Sequence, residues 1–140
     1  MDRIVDLMST HVVSVQEDWS LSVALDMLDE NRIRHLPVVD EDGNLTGLLS
    51  HRDLARRALG LVDELPLQER RAILDERVVS EIMEHSPETA DPSDTVLEVA
   101  ERMVENKFGC MLVVEGRRLV GIITESDFVR LVLRQAEASA

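Results

Sequence analysis

The sequence predicts an α+β fold made of two β-α-β-β-α repeats that pack sheet to sheet with pseudo-twofold symmetry. The first observation is that the chain, shifted by about 75 positions, matches itself in residue class over about 50 residues per copy. The second is that each copy alternates amphipathic helical patterns with short apolar runs. The third is size, because a unit of about 55 residues buries too little apolar surface to stand comfortably alone, so two copies should share a core.

A spacer separates the two repeats. We assign repeat 1 to residues 3–59, a helical spacer to residues 60–77 and repeat 2 to residues 78–134. Repeat 2 lacks one residue in its turn, so the offset between matched positions falls from 75 to 74 beyond that turn. The matched segments are Met8 with Met83, Ser20–Asn31 with Thr95–Asn106, Leu36–Asp40 with Met111–Glu115, and Gly47–Asp53 with Gly121–Asp127.

Each copy contains a long amphipathic helix. In repeat 1, a short β stretch near Val12–Val15 precedes this helix. Ser20 is a candidate N-cap, and Thr95 with Glu98 forms a capping box. Apolar residues then recur at i, i+3, i+4 and i+7, which predicts one buried helical face. They are Leu21, Ala24, Leu25 and Leu28 in repeat 1, and Val96, Val99, Ala100 and Met103 in repeat 2.

Two strands and a closing helix follow in each copy. The first strand, Leu36–Asp40 or Met111–Glu115, is an unbroken apolar run, which predicts that both of its faces are covered. After a turn, the second strand covers Leu45–Leu49 or Leu119–Ile123. The closing helix places apolar residues at Leu54, Ala55, Ala58 and Leu59, or at Phe128, Leu131 and Val132.

The spacer and the tail carry weaker signals. Good helix formers follow Pro66, which suits a first helical position, so the spacer is predicted to be helical. The tail 135–140 is small and polar and is predicted to fray. Apolar positions outside the narrow helical stripes predict a symmetric contact between two copies of the chain. They include Ala58, Leu59, Leu61 and Val62.

Composition excludes several classes of protein. The net charge of −13 over 140 residues opposes binding to DNA or RNA, although a few arginines can still hold a small nucleotide. No apolar run approaches the roughly 18 residues that a membrane helix needs. No basic-then-apolar signal peptide opens the chain. The single cysteine, Cys110, cannot form an internal disulfide, so a reducing cytoplasm fits.

No catalytic or metal-binding constellation is found in the sequence. The four histidines have no metal-ligand spacing, and no catalytic triad signature, P-loop or dinucleotide glycine motif occurs. Cys110 adjoins an apolar strand and is interpreted as a small buried hydrophobe. The sequence therefore predicts no catalytic residue, no metal and no cofactor. The histidines are His11, His35, His51 and His85.

The ordered pattern in both copies resembles a tandem pair of CBS domains, named after cystathionine β-synthase and often called a Bateman module. Repeat 1 carries it in Leu36–Asp40 and in Gly47-x-x-Ser50-x-x-Asp53, and repeat 2 in Met111–Glu115 and Gly121-x-x-Thr124-x-x-Asp127. The resemblance covers about 115 of the 140 residues. Repeat 2 departs from the pattern at Leu112, which replaces the typical proline, and at Gly109-Cys110, which replaces Arg34-His35.

The resemblance implies a regulatory, non-catalytic module. Such modules bind adenosine-containing ligands, namely AMP, ADP, ATP or S-adenosylmethionine, in clefts between paired repeats, and they form side-by-side dimers. Because no effector domain is present in the 140 residues, the output would pass to a separate protein. The alternative is a ligand-free interaction or dimerisation module whose clefts are vestigial.

Ser50-His51-Arg52-Asp53 and Thr124-Glu125-Ser126-Asp127 have two interpretations. In the structural one, the hydroxyl caps the helix start and the acid reaches back to the first residue. In the functional one, the carboxylate accepts hydrogen bonds from a ribose diol while the hydroxyl and the helix start favour a phosphate. The resemblance favours ribose binding, and the two roles can overlap in one residue.

Cations and backbone complete the candidate sites. The resemblance implies that the phosphate of a ligand faces Arg34 and Arg52 in repeat 1. The matching positions in repeat 2 are Gly109 and Ser126. The structural alternative is that these arginines form a basic edge that contacts only solvent. The resemblance also implies that the backbone at Val13 and Ser14, or near Thr89, meets the adenine edge. Because repeat 2 lacks arginines at the phosphate positions, the two clefts are predicted to be unequal, with repeat 1 contributing more. Family clefts draw on both repeats, so Arg34 could also serve the cleft that contains Asp127.

Overall fold

The computed structural model describes residues 3–59 and 66–139. Its contacts divide the chain into two compact units, Val13–Pro87 and Met1–Val12 with Glu88–Ala140. Both units combine helices with a small sheet, so the predicted α+β class is confirmed. Each unit has its own buried apolar cluster.

The unit Val13–Pro87 is built on an antiparallel pair of strands. The two strands pair from His35 opposite Ser50 to Val39 opposite Leu45. Val15 bridges to one edge of the pair in parallel, and Glu84 bridges to the other edge in antiparallel orientation. The elements are α1 (Leu21–Asn31), β1 (His35–Val39), β2 (Leu45–Ser50), α2 (His51–Asp53) continued by a π-helical turn (Leu54–Leu59), α3 (Leu67–Glu76) and a 3₁₀ turn (Val79–Glu81).

The other unit repeats this plan. Its outer strand pairs in parallel with the central strand, which pairs in antiparallel orientation with the third. Ser9 bridges to Ile122 at the far edge, as Glu84 does to Leu48 in the first unit. The elements are a 3₁₀ turn (Ile4–Asp6), β3 (Thr89–Ala90), α4 (Val96–Asn106), β4 (Cys110–Glu115), β5 (Arg118–Thr124) and α5 (Glu125–Ser139).

The first segment of each repeat completes the compact unit that contains the rest of the other repeat. The amide of Ile4 donates to the carbonyl of Asp94 over 2.8 Å, and Ile4 is fully buried beside repeat 2 residues. The matched residue Val79 donates to the carbonyl of Trp19 over 2.9 Å and is equally buried. Each of these segments adds apolar side chains to the core of a small sheet that could not bury enough surface alone. The boundaries of the compact units therefore differ from the boundaries of the sequence repeats.

Local signals place the long helices as the sequence predicts. The Ser20 hydroxyl accepts from the amide of Val23 over 3.3 Å, and the Thr95 hydroxyl accepts from the amide of Glu98 over 3.1 Å. Both helices end at a residue in the left-handed region, Arg32 or Lys107, where the chain reverses. The buried face of each helix follows the predicted stripe. It contains Leu21, Ala24 and Leu28 in α1, and Val99 and Met103 in α4.

The central strands are covered on both faces, as their apolar runs predict. Leu36–Val38 and Cys110–Val113 are buried without interruption. The closing helix of repeat 1 buries Leu54 and Ala58 but exposes Ala55. Because Ala58 lies in the core of its own unit, it is not available as a contact between copies. The side chain of Leu59, together with Leu61 and Val62, lies outside the described residues.

The spacer forms the predicted helix from Leu67 onward, with Pro66 at its N-cap position, and its first part, 60–65, lies outside the described residues. Arg71 donates to Asp26 over 2.6 Å, and Asp75 accepts from Ser22, so α3 packs on α1. The prediction that the tail frays is wrong for residues 135–139, which continue α5. Helix formers dominate there, and the Ser139 hydroxyl bonds back to the carbonyl of Gln135 over 3.0 Å.

Candidate functional site

Strand pairing brings the candidate cations of repeat 1 to one end of the sheet. His35 lies opposite Ser50, so Arg34 reaches the position where β2 passes into α2. The amide of His51 donates to the Arg34 carbonyl over 2.8 Å, which fixes that proximity through the backbone. The side chains of Arg34 and Arg52 are both exposed. Two arginine residues therefore lie near the start of α2 with their side chains exposed, and guanidinium donors can pair with an anion.

Only half of the capping box forms at Ser50. Its hydroxyl accepts from the amide of Asp53 over 2.9 Å. The carboxylate of Asp53 does not reach back, and among the described residues no group donates a hydrogen bond or forms an ion pair with it. The residue is half-buried. This carboxylate thus keeps both oxygens for donors from outside the chain.

In repeat 2 the acid half of the capping box forms. The amide of Thr124 donates to Oδ2 of Asp127 over 2.8 Å. Nη1 of Arg130 donates to Oδ1 of Asp127 over 2.9 Å, and the Asp127 side chain is only 11% exposed. The hydroxyls of Thr124 and Ser126 share a hydrogen bond of 2.8 Å. Each carboxylate oxygen therefore already accepts a hydrogen bond from within the chain.

The segments assigned to the adenine edge also differ between the repeats, because a side chain of the protein bonds to the backbone in repeat 2. Val13 and Ser14 are half-buried and lead into Val15, whose amide donates to the Pro37 carbonyl over 3.0 Å. In repeat 2, Nη2 of Arg102 donates to the carbonyl of Thr89 over 2.9 Å. Arg102 also pairs with Glu88. Repeat 1 has Met27 at the position that matches Arg102, and methionine has no guanidinium that could donate to the backbone there.

The predicted residues fall into two groups, and the sequence interpretation missed two arginines. Arg130 follows Asp127 by three positions on α5, which is a spacing that places side chains together on a helix. Arg102 lies on α4 and reaches the segment near Thr89. The first group contains Val13, Ser14, Arg34, Ser50, Arg52 and Asp53 in one unit, and the second contains Thr89, Thr124, Ser126 and Asp127 in the other.

The arrangement in repeat 1 suits a ligand with a diol and an anionic group. An ionised carboxylate accepts from two hydroxyls, while guanidinium groups donate to phosphate or carboxylate oxygens. Within residues 3–59 and 66–139, no cluster of three or more His, Cys, Asp or Glu side chains is arranged to hold a metal ion. Cys110 is buried.

The CBS domain family model matches residues 4–60 and again residues 79–134, which together make up most of the chain. The chain belongs to the CBS domain family. Its two matched regions make it a tandem CBS pair, and the resemblance seen in the sequence is confirmed.

Relatives of this CBS pair include both short and long proteins. A CBS domain-containing protein of Dictyostelium discoideum is 35% identical over 137 residues, which cover 94% of this chain and 91% of the relative. A homoserine O-acetyltransferase of Methanococcoides burtonii is 28% identical over 130 residues, which cover 92% of this chain. The chain spans only 24% of that enzyme's length.

Solved CBS structures match the pair along nearly its whole length. The CBS domain pair of protein MJ0100, in complex with 5′-methylthioadenosine and S-adenosyl-L-methionine, has a TM-score of 0.77 and 30% identity, covering 93% of this chain and 98% of that one. CBSX2 in complex with AMP has a TM-score of 0.80 and 30% identity, covering 96% of this chain and 98% of that one.

In the described part of the chain, no helix of the CBS pair combines the length and the apolar character required to cross a bilayer.

Proposed function

We propose that this CBS pair is a regulatory module that binds an adenosine-containing ligand, namely AMP, ADP, ATP or S-adenosylmethionine. The proposal rests on the Asp53 carboxylate, which has no partner among the described residues. It belongs to α2, which also carries Arg52 and whose first amide bonds to the backbone of Arg34, and both arginine side chains are exposed. The complexes of MJ0100 with S-adenosyl-L-methionine and of CBSX2 with AMP support the choice of ligand class.

Each part of the ligand has a candidate partner in repeat 1. The ribose diol donates to Asp53, and the phosphate accepts from Arg34 and Arg52, with the helix start adding a favourable dipole. The adenine edge meets the backbone at Val13 and Ser14. Charge-assisted hydrogen bonds contribute about 1.5–3 kcal/mol each, so two or three of them supply much of a micromolar affinity.

Binding regulates by shifting the population between two packings of the repeats or of the spacer helix α3. The output passes to a separate protein, which this module contacts in one of the two states. The non-catalytic role rests on the absence of a nucleophile–base constellation in the sequence. The long acetyltransferase relative is compatible with it, since the match covers only a quarter of that enzyme.

Assembly and location complete the proposal. The module is a homodimer. The resemblance to CBS pairs implies self-association, and α4 and α5 expose large apolar side chains that a second copy could cover. It works in the cytoplasm, where the buried thiol of Cys110 stays reduced. The exposed apolar side chains are Leu97 and Val104 on α4, and Val129, Val132 and Leu133 on α5.

Calorimetric titration of the full chain with AMP, ADP, ATP and S-adenosylmethionine tests the proposal. At least one ligand should bind, and Asp53→Asn should weaken that binding about tenfold or more. Asp42→Asn is the matched control, because Asp42 is an exposed carboxylate in the turn at the other end of the β1–β2 pair. Absence of binding for all four ligands would overturn the proposal and favour the ligand-free interaction module.

A further inference from the structure

Both repeats carry the same hydroxyl-x-x-Asp-x-x-Arg pattern, yet they use it differently. The pattern runs Ser50, Asp53 and Arg56 in repeat 1, and Thr124, Asp127 and Arg130 in repeat 2. The repeat 2 arginine donates to its aspartate over 2.9 Å. Among the described residues, the repeat 1 arginine forms no such pair. Residue type at these positions therefore does not explain the difference.

The backbone explains it. In repeat 2, α5 is α-helical from Glu125 to Ser139, so residues three positions apart lie on the same face. In repeat 1, the α-helical turn ends at Asp53 and a π-helical turn occupies Leu54–Leu59. A π-turn places more residues in each turn, so the side chain at i+3 no longer stacks on the aspartate. Such turns inside helices are frequent at functional sites.

We infer that Arg130 is a positioning residue that holds the Asp127 carboxylate in its capping conformation, so that the Asp53 site is open to ribose and the Asp127 site is closed. The inference rests on the proposed function, which makes these carboxylates the ribose acceptors. Arg130 occupies Oδ1 while the Thr124 amide occupies Oδ2, so a ribose diol must displace or share these donors. Asp53 has no donors to displace among the described residues.

Arg130 is well placed for this role. Its side chain is 64% exposed, whereas the Asp127 carboxylate is 11% exposed. A substitution of Arg130 therefore removes the pairing without opening a cavity, and the fold should survive. An exposed ion pair of this kind changes an equilibrium by a factor of about two to five.

Adenosine is the appropriate probe, because it offers the ribose diol without a phosphate that could itself attract Arg130. The titration uses full-length chain carrying Asp53→Asn, so that the measured binding depends on Asp127. In this background, Arg130→Gln should bind adenosine about two- to fivefold more tightly, and Arg130→Lys, which keeps a cation, should retain the background affinity. Arg56→Gln is the matched control from repeat 1 and should leave the affinity unchanged.

A second readout needs no ligand. The Thr124 amide resonance reports its hydrogen bond to Asp127 and should move in Arg130→Gln, whereas the Ser50 amide should not move in Arg56→Gln. Unchanged or weaker adenosine binding in Arg130→Gln, or an unmoved Thr124 amide, would overturn the role of Arg130 while AMP binding by the unmodified chain still stands. If the unmodified chain binds neither adenosine nor a nucleotide, the proposed function falls, and the ribose role of Arg130 falls with it.

Discussion

The Met83 side chain lies against the backbone of Gly47 so closely that a Cβ there would come within 2.5 Å of the Met83 sulfur and 2.9 Å of the Glu84 carbonyl oxygen. The matched pair, Met8 and Gly121, makes the same contact in the other unit. Each contact joins the first segment of one repeat to the sheet formed by the other repeat. At both positions, the absence of a side chain on glycine lets the first segment of one repeat pack against the second long strand of the other.

Gly47→Ala should lower the free energy of unfolding by about 1–3 kcal/mol, because the added methyl group forces the Met83–Glu84 segment away from β2. Chemical unfolding by urea measures the change. Met83→Ala in the Gly47→Ala background should recover part of the loss, since the clash with the sulfur disappears while the clash with the carbonyl remains. Purely additive losses in this cycle would contradict the account.

The spacer helix should respond to acid through one ion pair. The hydrogen bond from Arg71 lowers the pKa of the Asp26 carboxyl below its ordinary value of 3.8. A lowered pKa in the folded state stabilises the fold above about pH 4, and the contribution is lost as the pH falls through the folded-state pKa. Asp26→Asn should therefore cause a small loss of stability at pH 7 that shrinks as the pH falls below about 4.

Urea unfolding from pH 7 to pH 2.5 checks this dependence. The matched control is Asp29→Asn on the exposed side of the same helix, where no arginine pairs with the carboxylate among the described residues. A stability difference for Asp26→Asn that persists unchanged at pH 2.5 would show that the ion pair is not its cause.

Phosphate recognition should reside in Arg34 and Arg52. AMP should bind more tightly than adenosine, because local charge-assisted hydrogen bonds attract its phosphate. The net charge of −13 repels the phosphate only weakly, since salt screens charges that lie more than about 8 Å away. Arg52→Gln should weaken AMP binding about tenfold or more and leave adenosine binding unchanged. Arg117→Gln, in the exposed turn between β4 and β5, is the control. Equal affinities for AMP and adenosine would show that the phosphate is not recognised.

The chain should form a dimer through the exposed apolar face of α5. Light scattering at tens of micromolar should give twice the mass of one chain, and Val132→Asp should reduce it to the monomer mass because a charge replaces a 63% exposed apolar side chain in the contact. Val5→Asp, at another exposed apolar residue, should leave the dimer intact. A monomer mass that does not change with concentration in the unmodified chain would contradict the prediction.

Internal repetition made most of the fold predictable. Local signals predicted the helix starts at Ser20 and Thr95 and the buried strands that contain Leu36 and Met111. The structure has these elements at the predicted places. The exchange of segments was not predictable, because an offset of 75 shows that Ile4 resembles Val79 but not which sheet each residue packs against. That choice depends on the shape of a core formed by residues far apart in sequence.

The candidate sites show the same division. The sequence identified Asp53 and Asp127 as equivalent residues, since both follow a hydroxyl by three positions. The sequence could not show that Asp127 is paired while Asp53 has no partner among the described residues, because the π-helical turn after Asp53, to which we attribute the difference, has no local sequence signal. The spacing of Arg130 from Asp127 was visible in the sequence, but the same spacing in Arg56 gives no pair among the described residues.

Titration of the isotope-labelled full chain with AMP, followed residue by residue through its amide resonances, tests the central claim most directly. We expect saturable shifts at Ser14, Arg34 and the segment Ser50–Asp53, with smaller shifts or none in the turn that contains Asp42. Saturable shifts confined to other parts of the chain, or no shifts at millimolar AMP, would contradict the assignment of a nucleotide site to Asp53.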